Sequence, residues 1–228
     1  MIKNVLLDAD GTLFDFKRAE REALSQTLLQ LGIEPLPQIL RRYSEINDAH
    51  WKLLEKNEIT HAELKYRRYE QLFREIGVSA SPTDAANCYE ELLSRQGCLL
   101  EGARELVERL APSYRLYLAS NGRRKTQYGR IDASGLKPFL SDVFISEDLG
   151  YYKPDVGFFE ACFARIPDLR KEETVMVGDR LSSDIAGGNR AGIATVWFAP
   201  EGAEPSADAL PTRIIHALSE LPDVLAGM

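Results

Sequence analysis

With 228 residues, three cysteines and a formal net charge of −7, the chain is larger than an average domain and smaller than two, so one core carrying a sizeable insertion is expected. Net acidity argues against wrapping a nucleic-acid polymer or lying on an anionic membrane, while a small phosphorylated ligand stays admissible because a bound cation reverses the sign of one pocket. Cys88, Cys98 and Cys162 are odd in number and lack Cys-x-x-Cys spacing, which disfavours a disulfide framework or a zinc site and favours a reducing cytoplasm. The N-terminal apolar run is too short for a secretory signal, and no stretch is long and apolar enough to span a bilayer.

The first apolar run, residues 5–7, predicts a buried strand that ends in Asp8-Ala9-Asp10-Gly11-Thr12. From about residue 16 to 91 the pattern changes to helical spacing, at Ala23, Leu24, Thr27, Leu28 and Leu31 and again at Ile46, Ala49, Leu53 and Leu54. Pro35, Pro37 and the stretch 79–82 supply turns within this segment. Residues 102–110 then read as a crossover helix closed by Pro112, with apolar positions at Ala103, Leu106, Val107 and Leu110. Strands follow at 116–119, 143–145, 175–177 and 194–198, with a second crossover helix marked by Phe158, Phe159, Cys162 and Phe163. Gly187-Gly188 is expected to loosen the segment after the fourth run, and the tail predicts a short strand at Ile214-Ile215 and a closing helix. The expected fold is α/β: a Rossmann-like, doubly wound parallel sheet formed by residues 1–15 and 92–228, with an all-helical insertion over 16–91.

Four groups of polar residues stand at the ends of these runs or beside them. Asp8 and Asp10 are close enough to repel, which a hard divalent cation with oxygen ligands would relieve; the alternative is one helix cap and one solvated carboxylate. Ser120-Asn121-Gly122 offers a hydroxyl, an amide and main-chain N–H groups to phosphate oxygens, or caps a helix. Lys153-Pro154 places a cation ahead of a helix, where most lysines are solvated. Gly178-Asp179 ends a strand, with Ser182-Ser183-Asp184 just beyond. Ligands of open parallel sheets bind outside the carboxyl ends of the strands, so all four groups can meet at one rim.

In this order the residues resemble the four motifs of the haloacid dehalogenase superfamily: Asp8-Ala9-Asp10-Gly11-Thr12, Ser120, Lys153, and Gly178-Asp179 through Asp184. The match spans essentially the whole chain. It implies a helical cap domain inserted between the first and second motifs, and a phosphatase dependent on Mg2+. Asp8 is then the nucleophile, Asp10 the acid and later the base, and Asp8, the Asp10 carbonyl and Asp179 the metal ligands. Asp184 orients the metal shell, and Ser120, Asn121 and Lys153 hold the phosphoryl group. Within the superfamily the chain is similar to the noncanonical pyrimidine 5'-nucleotidases, through Leu13-Phe14, Asn121-Gly122 and the segment Asn47-Asp48-Ala49-His50-Trp51. That likeness implies a nucleoside monophosphate as substrate. Asn47 and Trp51, four apart on one helix face, either reach its base or sugar or belong to the helical core; no catalytic task is expected of His50. The rivals are a sugar-phosphate phosphatase or a phosphomutase of the beta-phosphoglucomutase type, a haloacid dehalogenase, which Asp10 and Asp179 count against, and a noncatalytic binding module.

Overall fold

The computed structural model describes residues 1–56, 58–199 and 203–228. In chain order the elements begin with β1 (Asn4–Leu7) and the helices α1 (Phe16–Gln30), α2 (Pro37–Glu55), α3 (His61–Ile76), α4 (Pro82–Ser94) and α5 (Ala103–Leu110). There follow β2 (Arg115–Ser120), α6 (Arg124–Ser134), β3 (Asp142–Ile145), the short α7 (Ser146–Leu149), α8 (Val156–Phe163) and β4 (Thr174–Gly178). A π-helical turn, Leu181–Ile185, leads into α9 (Ala186–Ala191), and β5 (Ala194–Phe198), β6 (Arg213–Ile215) and α10 (Leu221–Ala226) complete the chain. It divides into two compact units, Met1–Phe16 with Gly97–Met228, and Lys17–Gln96. No helix among the described residues is long and apolar enough to cross a membrane.

The first unit is built on six parallel strands in the order β3-β2-β1-β4-β5-β6. Each apolar run supplies both faces of this sheet, because successive strand residues point to opposite sides. Val5, Leu7, Leu116, Leu118, Val175 and Val177 pack on one side with Ala103, Leu106, Val107 and Leu110 of α5. Leu6, Tyr117, Phe144 and Met176 pack on the other with Phe158, Phe159, Cys162 and Phe163 of α8. The doubly wound α/β sheet is therefore present, with strands where the apolar runs predicted them. One expectation fails here. Gly187 and Gly188 do not loosen α9 but let it approach its neighbours: a methyl on Gly187 would lie 2.5 Å from the Phe159 ring, and one on Gly188 2.5 Å from Thr195 Cγ2.

The second unit consists of helices. Pro37 and Pro82 stand in the first turns of α2 and α4 and so open helices, where a missing N–H costs nothing. Thr60 and Glu63 form a capping box at the start of α3, and Gly77 ends it in the left-handed region at φ 68°. In α1 the predicted Ala23, Leu24, Thr27 and Leu28 are buried. On α2 the buried face is rotated from the predicted one: Ala49 is exposed, and Tyr43, Ile46, Asn47 and His50 face inward.

This rotation is driven by a buried polar network. Glu20 accepts hydrogen bonds from Ser44 Oγ and Asn47 Nδ2, each at 2.7 Å, and Asn47 Oδ1 accepts one from Arg68 Nη1 at 2.7 Å. The Arg68 guanidinium lies 5.2 Å from the ring centres of Tyr69 and Tyr89 and 5.8 Å from that of Tyr43, and the Tyr43 and Tyr69 hydroxyls are 2.8 Å apart. A periodicity read from apolar residues alone cannot see such a face, since its polar members are inside only because they satisfy one another.

Burial pushes the Glu20 carboxyl up from its ordinary value, against the hydrogen bonds from Ser44 and Asn47. A raised folded-state value means that its contribution to stability is full below the ordinary carboxyl range and is lost as pH rises through the raised value. We predict that Glu20→Leu, which strands Ser44, Asn47 and Arg68, costs about 3 kcal/mol in urea unfolding. Glu20→Gln should cost much less and flatten the pH dependence; equal losses for the two variants would contradict the role given to the network.

Candidate active site

Asp8 stands where the two central strands end: its main-chain N–H donates to the carbonyl of Val177 at 2.9 Å. Its carboxylate meets a buried cation. Lys153 Nζ, 1 % exposed, donates to Asp8 Oδ1 at 2.6 Å, Asp184 Oδ1 at 2.7 Å and the Ala119 carbonyl at 2.7 Å, which uses all its N–H bonds. Burial opposes the charge on Lys153, but Asp184 and Asp8 outweigh it and the ammonium is held above its ordinary value. Lys153 is thus a charged link between Asp8 and Asp184, in keeping with the fixed positive charge expected beside Asp8, and the bond to Asp184 adds a partner that the sequence does not reveal.

Asp179 follows β4. The Trp197 indole N–H donates to its main-chain carbonyl at 2.9 Å, and the Thr12 hydroxyl lies 3.4 Å from its Oδ1. Gly11 is required beside it: at φ 90° it adopts a conformation that L side chains rarely take, and a methyl there would lie 2.5 Å from Asp179 Oδ2. Carboxylate oxygens of Asp8, Asp179 and Asp184 all lie within 4.8 Å of one another. Asp184, fully buried, also accepts the main-chain N–H of Arg180 at 3.0 Å through Oδ2.

Three carboxylates in so small a volume make ionisation costly. Burial raises Asp8 well above the usual carboxylate range, with Lys153 opposing and Asp184 and Asp179 adding to the rise. Burial and the neighbouring Asp184 push Asp179 up to about 7. An all-oxygen donor set with surplus negative charge matches what a hard divalent cation binds. Asp184 lies within this cluster, with one oxygen bonded to Lys153 and the other to the Arg180 N–H.

Ser120 ends β2 and is buried, its Oγ accepting the Gly122 N–H at 3.0 Å. The side chain of Asn121 has a different use from the expected phosphate contact. Its Nδ2 donates to the Lys153 carbonyl and its Oδ1 accepts the Lys153 N–H, both at 2.8 Å, so the amide clamps the main chain that carries the lysine.

Asp10 faces two residues that the sequence reading missed. Gln127 Nε2 donates to Asp10 Oδ2 at 2.6 Å, and Arg130 Nη1 donates to Asp10 Oδ1. Both side chains are buried and lie three apart on α6. Neither stands at the end of an apolar run; the signal in the sequence is a glutamine and an arginine at helical spacing just after the Ser120 group.

Asn47 and Trp51 belong to the helical unit. Asn47 is wholly buried and its amide is engaged by Glu20 and Arg68, so it is a core residue and offers no surface to a base or sugar. Trp51 is half-buried, its ring edge-on to His61 with centres 5.8 Å apart. His50 Nδ1 lies 2.8 Å from the carbonyl of Ile46 in its own helix.

Residues 2–192 match the family model described as haloacid dehalogenase-like hydrolase. The chain is 40% identical to pyrimidine 5'-nucleotidase PynA of Streptococcus pneumoniae, over 98% of this chain and 94% of that one. It is 26% identical to pyrimidine 5'-nucleotidase YjjG of Escherichia coli, over 97% of this chain and 96% of the relative. The crystal structure of the HAD-hydrolase YfnB from Bacillus subtilis, bound to magnesium, superposes with a TM-score of 0.94 at 34% identity, covering 98% of each chain.

With Asp179 raised to about 7, its share of the metal-free protein's stability is full below the usual carboxylate range and is lost as pH rises through about 7. A cation needs the ionised form, so each pH unit below about 7 should cost it roughly tenfold in affinity. We predict that the rise in melting temperature on adding magnesium grows between pH 5 and 8. A rise of the same size at both ends would contradict the assignment.

Proposed function

The chain belongs to the haloacid dehalogenase-like hydrolase family, and on that footing we propose that it is a magnesium-dependent phosphomonoester hydrolase acting through an aspartyl phosphate on Asp8. The observation that carries this reading is the convergence on Asp8 of a buried ammonium and two further carboxylates. In the first step an Asp8 oxygen attacks phosphorus in line, the bond from phosphorus to the ester oxygen breaks, and Asp10 gives the departing alcohol its proton. In the second, water attacks the phosphorus of the aspartyl phosphate, Asp10 takes its proton, and the bond to Asp8 breaks to release phosphate and regenerate the carboxylate.

Lys153 fixes the rotation of the Asp8 carboxylate and keeps a positive charge beside it, which favours the ionised nucleophile against the effect of burial. Asn121 holds that lysine's main chain, and Ser120 with the main-chain N–H groups after β2 is assigned to the phosphoryl oxygens. When bound by Asp8, the Asp10 carbonyl and Asp179, with Asp184 alongside, magnesium supplies charge that offsets the repulsion between carboxylate and phosphate. Asp10 and Asp179 separate this chemistry from dehalogenation, which needs neither an acid at the Asp10 position nor a metal.

For the substrate we propose a pyrimidine nucleoside monophosphate, on the strength of two relatives bearing that activity in their names and matched along nearly their whole lengths. A cytoplasmic location accords with three cysteines that form no disulfide.

Asp8→Ala is expected to abolish magnesium-dependent hydrolysis of 4-nitrophenyl phosphate, and retention of the normal rate would overturn the mechanism. Asp10→Asn should slow turnover of nucleoside monophosphates by about 10²- to 10⁴-fold while a burst of 4-nitrophenolate persists. In a panel of nucleoside monophosphates and sugar phosphates, the pyrimidine nucleotides should have the highest kcat/KM. Sugar phosphates turned over equally well would remove the nucleotidase reading and leave the phosphatase standing.

A further inference from the structure

We propose that Gln127 and Arg130 are positioning residues for Asp10: together they form a pincer from one face of α6 that sets the plane of its carboxylate. The inference rests on the reading of Asp10 as the acid and base. It starts from a buried cation. Arg130 is 0 % exposed, and a guanidinium taken out of water needs both a charge partner and a fixed seat. The partner is Asp10 Oδ1, and the seat is the Phe14 ring, whose centre lies 4.5 Å from the guanidinium carbon, with that of Phe16 at 5.8 Å.

Gln127 approaches from the preceding turn of α6 and donates Nε2 to the other oxygen of Asp10 at 2.6 Å. Its own Oε1 is buried and has no hydrogen-bond partner among the described residues. An unsatisfied buried carbonyl is a cost that an apolar side chain of similar size would avoid, so the amide's one bond to Asp10 is what the position retains it for. The main chain makes room for this bond: a methyl on Gly122 would lie 2.2 Å from Gln127 Nε2 and 2.7 Å from its Cγ.

Donors from two side chains, one on each oxygen, leave the carboxylate no freedom to rotate. Each oxygen still keeps a second lone pair, and the Asp10 side chain is 28 % exposed, so the group is oriented without being closed off. A displacement of about 1 Å in a group that must meet a leaving oxygen costs on the order of 10²-fold in rate. Fixing that orientation is therefore a catalytic contribution, made through Asp10 rather than by contact with substrate.

A double-mutant cycle tests this, with kcat and KM measured for uridine monophosphate under saturating magnesium. Gln127→Leu should lower kcat by about 10- to 100-fold with little change in KM. In an Asp10→Asn background the same substitution should have almost no further effect, because the group it positions is already disabled. Arg130→Lys, which keeps the charge and loses the planar fork, should show the same dependence on Asp10. Should the buried arginine prove essential for folding, the glutamine cycle decides alone. Losses from Gln127→Leu and Asp10→Asn that multiply would overturn the pincer, since the amide would then act independently of Asp10; so would a Gln127→Leu enzyme with wild-type kcat. An Asp10→Asn enzyme with wild-type kcat would overturn the reading of Asp10 itself, and the pincer's function with it.

Discussion

The ammonium of Lys153 joins groups that the chain delivers from three separate places. It bonds the carboxylate after β1, the carbonyl of Ala119 near the end of β2 and the carboxylate of Asp184 in the turn after β4, all at 2.6–2.7 Å, and is itself buried. Without that cation, Asp8, Asp179 and Asp184 would hold three ionisable oxygens within 4.8 Å of one another with their repulsion uncompensated from this side. Much of the local structure serves to keep the lysine in place, including the Asn121 amide, which takes both the N–H and the carbonyl of its main chain.

The parallel sheet makes this convergence available. β1 lies between β2 and β4, and its last residue, Leu7, is in register with Leu118 and Val177, so the strands finish side by side and their following residues emerge together. The helix packing then adds what the strand ends lack. From α6 come Gln127 and Arg130, which turn the carboxylate of Asp10, and from the segment before α8 comes Lys153 itself. The acidic cluster and the Asp10 pincer differ in character: in the first, surplus negative charge leaves a role for a cation, while in the second a guanidinium is already present.

The strands were legible because each is a short apolar run buried on both faces, a pattern that needs no knowledge of the partner strand. Asp8, Ser120 and Asp179 were legible as polar residues that end such runs. Side-chain partners could not be read in the same way. Asn121 has the composition of a phosphate contact and instead grips a peptide thirty-two residues away in sequence. Asn47 has the helical spacing of a surface pair with Trp51 and instead lies between Glu20 and Arg68. Gly187-Gly188 looks permissive by composition, yet each glycine is a contact point for Phe159 or Thr195.

What the amino-acid sequence determined by itself is the order of strands and helices and the placing of acidic groups at strand ends, because both follow from local periodicity and from a few residue types at short spacing. Only the tertiary structure decided which polar atoms meet. The Lys153 bonds to Asp8 and Asp184 and the Arg130 bond to Asp10 span from thirty-one to one hundred and forty-five residues of chain. Their existence depends on how the helices lie on the sheet, since a buried charge is held by whatever opposite charge the packing brings within reach.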